Sequence, residues 1–211
     1  MAQAGHRSAR SIALCVDDFG LHDGVNHAAI ALVQAGRVTA VSCLSGAPAW
    51  QRGALELRHL DVETVDIGLH LDLSEYPLRS APWRTPFSAL LGLSKVMSNP
   101  LALRALRAEI DAQFDAFVQA LGRLPDFVDG HRHVHQLPLV REQLLQALSA
   151  QCAGMPLARP WLRNTRRPAA TGAVPRLKPW LIEALGAAAL SRLAAQHGFA
   201  QKRAPARRAW F

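Results

Sequence analysis

Short apolar runs alternate with amphipathic stretches along most of this chain, and that alternation is what most restricts its fold. Residues 11–20 form a strand-type run that stops at two carboxylates, Asp17 and Asp18. Residues 24–36 follow with Val25, Ala28, Ala29, Leu32 and Val33 at helical spacing. Residues 38–44 read as a second strand, 47–60 as a helix opening at Pro48, and 65–73 as a third strand. A long helix is predicted over 100–121, where Leu103, Leu106, Ile110, Phe114, Phe117 and Val118 share one stripe. Further helices are predicted over 139–152 and 179–197, with a short strand over 157–164. Strands that alternate with helices in this way predict an α/β fold on a mainly parallel sheet.

Polar residues collect at the ends of these runs. In residues 129–135, Asp129, His131, His133 and His135 fall at every second position, the period that puts side chains on one face of a strand. Equivalent atoms then repeat every ~6.5 Å, so a straight strand cannot bring all four to one ion. One or two of the histidines are candidate metal ligands and the others need different work; a surface loop or a hydrogen-bonded core ladder is the plainer alternative. In the third strand, strict alternation places Asp66, Gly68, His70 and Asp72 on one face. Asp17 and Asp18 are adjacent, so they serve one site only if the backbone turns there, and Gly20 tolerates such a turn. A division of labour would justify two carboxylates, one holding a metal and one acting as general base. Capping of the next helix is the alternative.

Three segments, 16–20 (Val-Asp-Asp-Phe-Gly), 67–73 (Ile-Gly-Leu-His-Leu-Asp-Leu) and 129–138 (Asp-Gly-His-Arg-His-Val-His-Gln-Leu-Pro), resemble in order and spacing the signature blocks of the YdjC-like carbohydrate deacetylases. That family includes chitooligosaccharide deacetylases and the HpnK branch associated with hopanoid biosynthesis, to which the Arg-rich and Ala-rich texture is closer. The resemblance implies one divalent metal ion held by Asp18, His70 and His131, with Asp17 as general base. It also implies removal of an acetyl group from an N-acetylated sugar, oligosaccharide or glycolipid. Three protein ligands leave a position open, as catalytic metal sites do. Nitrogen and oxygen donors suit zinc or magnesium, with manganese or cobalt as further choices. His133 and His135 are candidates for protonating the leaving amine or for orienting the ligands through hydrogen bonds to Asp129, and the second role is preferred. Asp129 is expected to position other groups rather than to bind metal. Arg163 is expected to reach substrate oxygens or a catalytic carboxylate, an exposed salt bridge being the alternative.

Site residues at the carboxyl ends of several strands are what a TIM-like barrel shows, and such barrels typically run to about 250 residues. This chain has 211, and after residue 165 it offers one convincing helix. Members of the resembling family continue further. The expectation is therefore an irregular TIM-like (β/α) barrel, incomplete at its C-terminal end, in a single domain over 1–198 with a disordered basic tail over 199–211. A truncated, non-catalytic remnant and a metal-dependent phosphoesterase are the competing readings, and two metals would favour the latter. Residues 74–99, with Pro77, Pro82, Pro86, Trp83 and Phe87, are long for a plain connection and form a candidate cover for the site.

The chain is 50% hydrophobic and 19% charged, with net charge +8 and a pI near 10.6. A basic balance raises the question of nucleic acid or an anionic surface as partner. The basic residues are scattered, apart from 163–167 and 202–208, and no nucleic-acid motif accompanies them. The expected partner is thus the N-acetylated carbohydrate or glycolipid, with no nucleic acid, at most peripheral membrane contact and room for a homodimer. No stretch approaches the ~20 apolar residues of a membrane span, and residues 12–16 are too short for a signal-peptide core. Three cysteines without disulfide or zinc spacing predict a reduced, cytoplasmic setting.

Overall fold

The structure is a computed structural model and describes residues 14–61, 63–80, 94, 97, 99–154, 159–166 and 183–203. Its sheet runs in chain order through β1 (Cys15–Phe19), β2 (Ala40–Cys43), β3 (Asp66–Leu71), β4 (Phe127–Gly130), β5 (Trp161–Asn164) and β6 (Gln201–Arg203), every neighbouring pair parallel. A parallel pair needs a crossover, and helices supply it: α1 (Asp23–Gln34), α2 (Trp50–Leu57), α3 (Pro100–Leu121), α4 (Val140–Gln151) and α5 (Ala187–Gln196). All of β2 and β4 is buried, as expected of a parallel sheet covered on both faces.

The signals for α3 are written at both ends. The Asn99 side chain accepts from the Leu101 N–H, Pro100 opens the first turn, and Gly122 ends the helix in the left-handed conformation. Its stripe of Leu106, Ile110, Phe114 and Phe117 is buried, and Phe117 stacks on Trp50 of α2 with ring centroids 5.7 Å apart. The helix predicted over 47–60 starts later, because residues 44–50 first form tight turns in which Ala47 and Trp50 donate to Leu44 and Ala47. Of the segment predicted over 179–197, residues 179–182 lie outside the described residues and Ala187–Gln196 is α-helical.

Gly68 shows how tightly β3 and β4 are packed. A Cβ there would stand 2.5 Å from three carbons of the Phe127 ring, which is itself stacked on Trp161 at 4.4 Å. Gly68→Ala is expected to destabilise the chain by about 1–3 kcal/mol through overpacking. Denaturant unfolding measures this, and an unchanged midpoint would mean that the ring yields freely.

The sheet is strongly curled. Across the four intervals from β1 to β5 a flat sheet would separate equivalent positions by roughly 19 Å. Yet the Arg163 guanidinium of β5 lies 2.8 and 2.9 Å from the Asp17 carboxylate of β1. The α/β class and parallel sheet expected from the sequence are present. Among the described residues no pairing joins β6 to β1, so the expected TIM-like barrel is not confirmed.

The expected tail boundary also moves. Gln201–Arg203 pairs in parallel with β5, so the sheet extends past residue 198. Lys202 reaches Asp66 at 3.0 Å and lies 4.5 Å from the Trp161 ring centroid. Residues 204–211, and residues 81–93 of the candidate cover with Trp83 and Phe87, lie outside the described residues. No helix among the described residues is long and apolar enough to cross a membrane. Cys15, Cys43 and Cys152 are free thiols.

Candidate metal centre

The turn required to bring two adjacent carboxylates to one site is present at the end of β1. Asp18 adopts φ +64°, a left-handed conformation uncommon for a residue with a side chain, and the β1–β2 register shifts between Val16 and Phe19. Gly20, at φ +98°, completes the turn and donates its N–H to Asn26 at 2.7 Å. Asp18 faces two histidines while Asp17 faces Arg163.

His70 is the fifth residue of β3 and is buried. Its Nε2 lies 3.3 Å from Asp18 Oδ1, and its Nδ1 lies 2.6 Å from Asp129 Oδ1 and 3.0 Å from the Ser42 hydroxyl. Ser42 in turn donates to Asp129 Oδ1 at 2.5 Å. His131 follows β4 directly, with Nδ1 2.8 Å from Asp18 Oδ1 and Nε2 3.4 Å from Glu75. One ligand atom from each of Asp18, His70 and His131 lies within 4.8 Å of the others. A carboxylate gripping the far nitrogen of a histidine is the usual support of a metal ligand, and Asp129 supplies it to His70.

The charges agree with that geometry. Burial pushes the Asp18 carboxyl up, but hydrogen bonds from His131 and His70 prevail and hold it well below the usual carboxylate range. Burial pushes His70 down, and the charge and hydrogen bond of Asp129, with the bond to Asp18, override it and lift the imidazole to about 10. His131 is raised as well, against burial, mainly by its bond to Asp18. Asp18 is thereby kept in the ionised form that a cation requires, and the two imidazoles would release their protons on binding one.

Asp129 is buried between two cations. Arg163 Nη1 stands 2.7 Å from its Oδ2 in an ion pair. Burial pushes this carboxyl up, but Arg163 and then His70 hold it well below the carboxylate range. The same guanidinium grips both oxygens of Asp17. The expectation for Arg163 is contact with substrate oxygens or a catalytic carboxylate, or an exposed salt bridge; the structure shows it buried and paired with Asp17 and Asp129.

The histidine row is corrected. β4 stops at Gly130, and His131–Gln136 coil into a 3-10 segment in which Arg132 (φ 50°) and His133 (φ 61°) are left-handed. Alternation on a strand face therefore ends after Asp129, and only His131 joins Asp18 and His70. His135 is fully buried and donates Nε2–H to the Arg163 carbonyl at 3.3 Å, not to Asp129. Its Nδ1 has no hydrogen-bond partner, so protonating it would bury an unpaired charge. Burial pushes His135 down to about 3 and His133 down to about 4, so both imidazoles are neutral at neutral pH.

Two participants escaped the sequence reading. Ser42 is a hydroxyl within the otherwise apolar β2, the signal that could have marked it. Glu75 falls in the proline-rich segment after β3, where no periodicity pointed to it.

Fold and site together define an α/β protein with a carboxylate and imidazole cluster at the carboxyl ends of its parallel strands. The chain belongs to the YdjC-like protein family, whose pattern matches residues 11–210. It is 35% identical to a carbohydrate deacetylase of Homo sapiens over 157 residues, 68% of this chain and 47% of that protein. It is 34% identical to a carbohydrate deacetylase of Mus musculus over 174 residues, 76% and 51% of the two chains. A chitooligosaccharide deacetylase of Serratia marcescens is 33% identical over 146 residues, 67% and 56%. The chain spans about half the length of the curated relatives it matches.

Proposed function

We propose that this chain is a metal-dependent carbohydrate deacetylase that frees acetate from an N-acetylated sugar, oligosaccharide or glycolipid, on a curled sheet that forms part of an irregular (β/α) barrel. The observation that carries the reading is the convergence of Asp18, His70 and His131 from three places in the sheet, beside an Asp17 held by Arg163. The names of the relatives support the substrate class.

Asp18, His70 and His131 would hold the ion, zinc or magnesium being compatible with oxygen and nitrogen donors. When bound, such an ion polarises the acetamide carbonyl and acidifies the attacking water. Asp17 takes the proton of that water as general base. Arg163 keeps the Asp17 carboxylate aimed, and Asp129 with Ser42 keeps His70 in one orientation. Asp17, once protonated, would return a proton to the departing amine, with His133 or His135 as the alternative donor.

Metal analysis of the purified chain is expected to give about one divalent ion per molecule. Asp18→Ala and His70→Ala should each lose the ion and, with it, acetate release from N-acetylglucosamine oligosaccharides. Two ions per chain would favour phosphoester cleavage instead, and a native protein that binds none would defeat the proposal.

A further inference from the structure

Next to the metal cluster lies a cleft of about 360 Å³ walled by Ser74, Glu75, Tyr76 and Arg132. Its size falls within the ~300–1,000 Å³ of small-ligand pockets. Glu75 connects it to the centre, since the carboxylate that approaches His131 Nε2 also pairs with the Arg132 guanidinium.

One wall of the cleft is set rigidly from within. Asp72 accepts the backbone N–H groups of Ser74, Glu75 and Tyr76, together with the Ser74 hydroxyl. Buried Glu109 of α3 accepts those of Leu78, Arg79 and Ser80, and is itself fixed by Gln113. The turn also packs so closely on Gly46 that the Tyr76 carbonyl leaves no room there for a Cβ. Two internal carboxylates therefore use up the backbone donors of this turn. It offers no amide cradle to a phosphate, so recognition falls to the side chains.

Arg132 joins the lining from the left-handed pair after His131. Two consecutive non-glycine residues in that conformation are costly and persist only where the surroundings impose them. Here they deliver Arg132 to Glu75. The pair is partly exposed, with 49% and 33% of the side-chain surfaces accessible, and ion pairs of that kind are weak enough for a ligand to open. A carboxylate facing a guanidinium rejects a phosphate at the first and a lipid tail at both. A polyhydroxylated ring, each hydroxyl both donor and acceptor, matches the two together.

We infer that this cleft is the subsite for the sugar ring bearing the scissile acetamide, with Glu75 accepting from ring hydroxyls and Arg132 donating to them. The inference rests on the deacetylase reading above for its substrate, but its test does not need turnover. Calorimetric titration of the metal-loaded protein with N,N′-diacetylchitobiose is the measurement, run beside titration with inorganic phosphate. Glu75→Gln and Arg132→Met are each expected to weaken disaccharide binding by about tenfold, the loss of a charge-assisted hydrogen bond. Arg132→Lys, which keeps charge but not the forked donors, should fall between. Arg52→Ala, an exposed partner of Asp23 away from the cleft, should bind like the parent. In steady state the losses should lie in KM more than in kcat. Unchanged affinity in both Glu75→Gln and Arg132→Met overturns the subsite, as does phosphate binding that depends on Arg132. So does loss of the ion in Glu75→Gln while Arg132→Met binds sugar normally, because Glu75 would then serve His131 alone. Sugar binding that depends on both residues, without acetate release by the native chain, supports the subsite and defeats the deacetylase reading.

Discussion

Replacing Asp17 with asparagine is expected to lower acetate release by about 10²- to 10⁴-fold, the size of a general-base contribution, while the bound ion stays in place. The substitution keeps the shape of the side chain and removes its capacity to take a proton. Asp17 is not among the three clustered ligand residues, and both its oxygens are turned to Arg163. Measuring kcat alongside metal content separates the two roles. Loss of the ion would move Asp17 into the ligand set, and full activity would assign the base elsewhere.

Arg163→Met is expected to cause the largest loss of stability. The guanidinium side chain is 10% exposed and is shared by Asp17 and by Asp129, whose side chain is 1% exposed. Removing it leaves Asp129 buried with only the Ser42 and His70 bonds. Breaking a buried pair from one side costs about 3–5 kcal/mol. Burial pushes the Asp129 carboxyl up, and Arg163 then His70 hold it low. A carboxyl held below its unfolded value of about 3.9 stabilises the fold above that pH and loses the contribution as pH falls through the folded value. Without Arg163 the folded value rises, so the variant should unfold at a higher pH than the parent on acidification. Circular dichroism followed from neutral pH down to about pH 2 checks this. Coincident acid midpoints would reduce the pair to a bystander.

Periodicity carried the sequence reading wherever a segment was long or strongly patterned. The 22 residues of α3 match the predicted span, because an asparagine cap, a first-turn proline and a terminal glycine accompany the apolar stripe. His70 and Asp18 were legible as polar ends of apolar strands. The segment after His131 was not, because a period of two suggests a strand and no glycine marks the left-handed residues Arg132 and His133. Ser42 and Glu109 sit in the buried parts of β2 and α3, where a single polar residue inside an apolar pattern has no obvious partner until the strands are aligned. β6 has three polar residues, and only pairing with β5 makes it a strand.

The placement of Arg163 ties two stages of maturation together. The three residues proposed to hold the ion come from β1, β3 and the position after β4, so the chain up to His131 carries the whole candidate cluster. The anchor of Asp17 arrives with the fifth. On the proposed assignment, an intermediate that had docked only the earlier strands would hold the metal cluster while the proposed base, Asp17, still lacked its Arg163 partner. Occupancy by metal and competence for turnover would then be acquired at different moments of folding, and a chain damaged late in its sequence could pass a test for the first while failing the second.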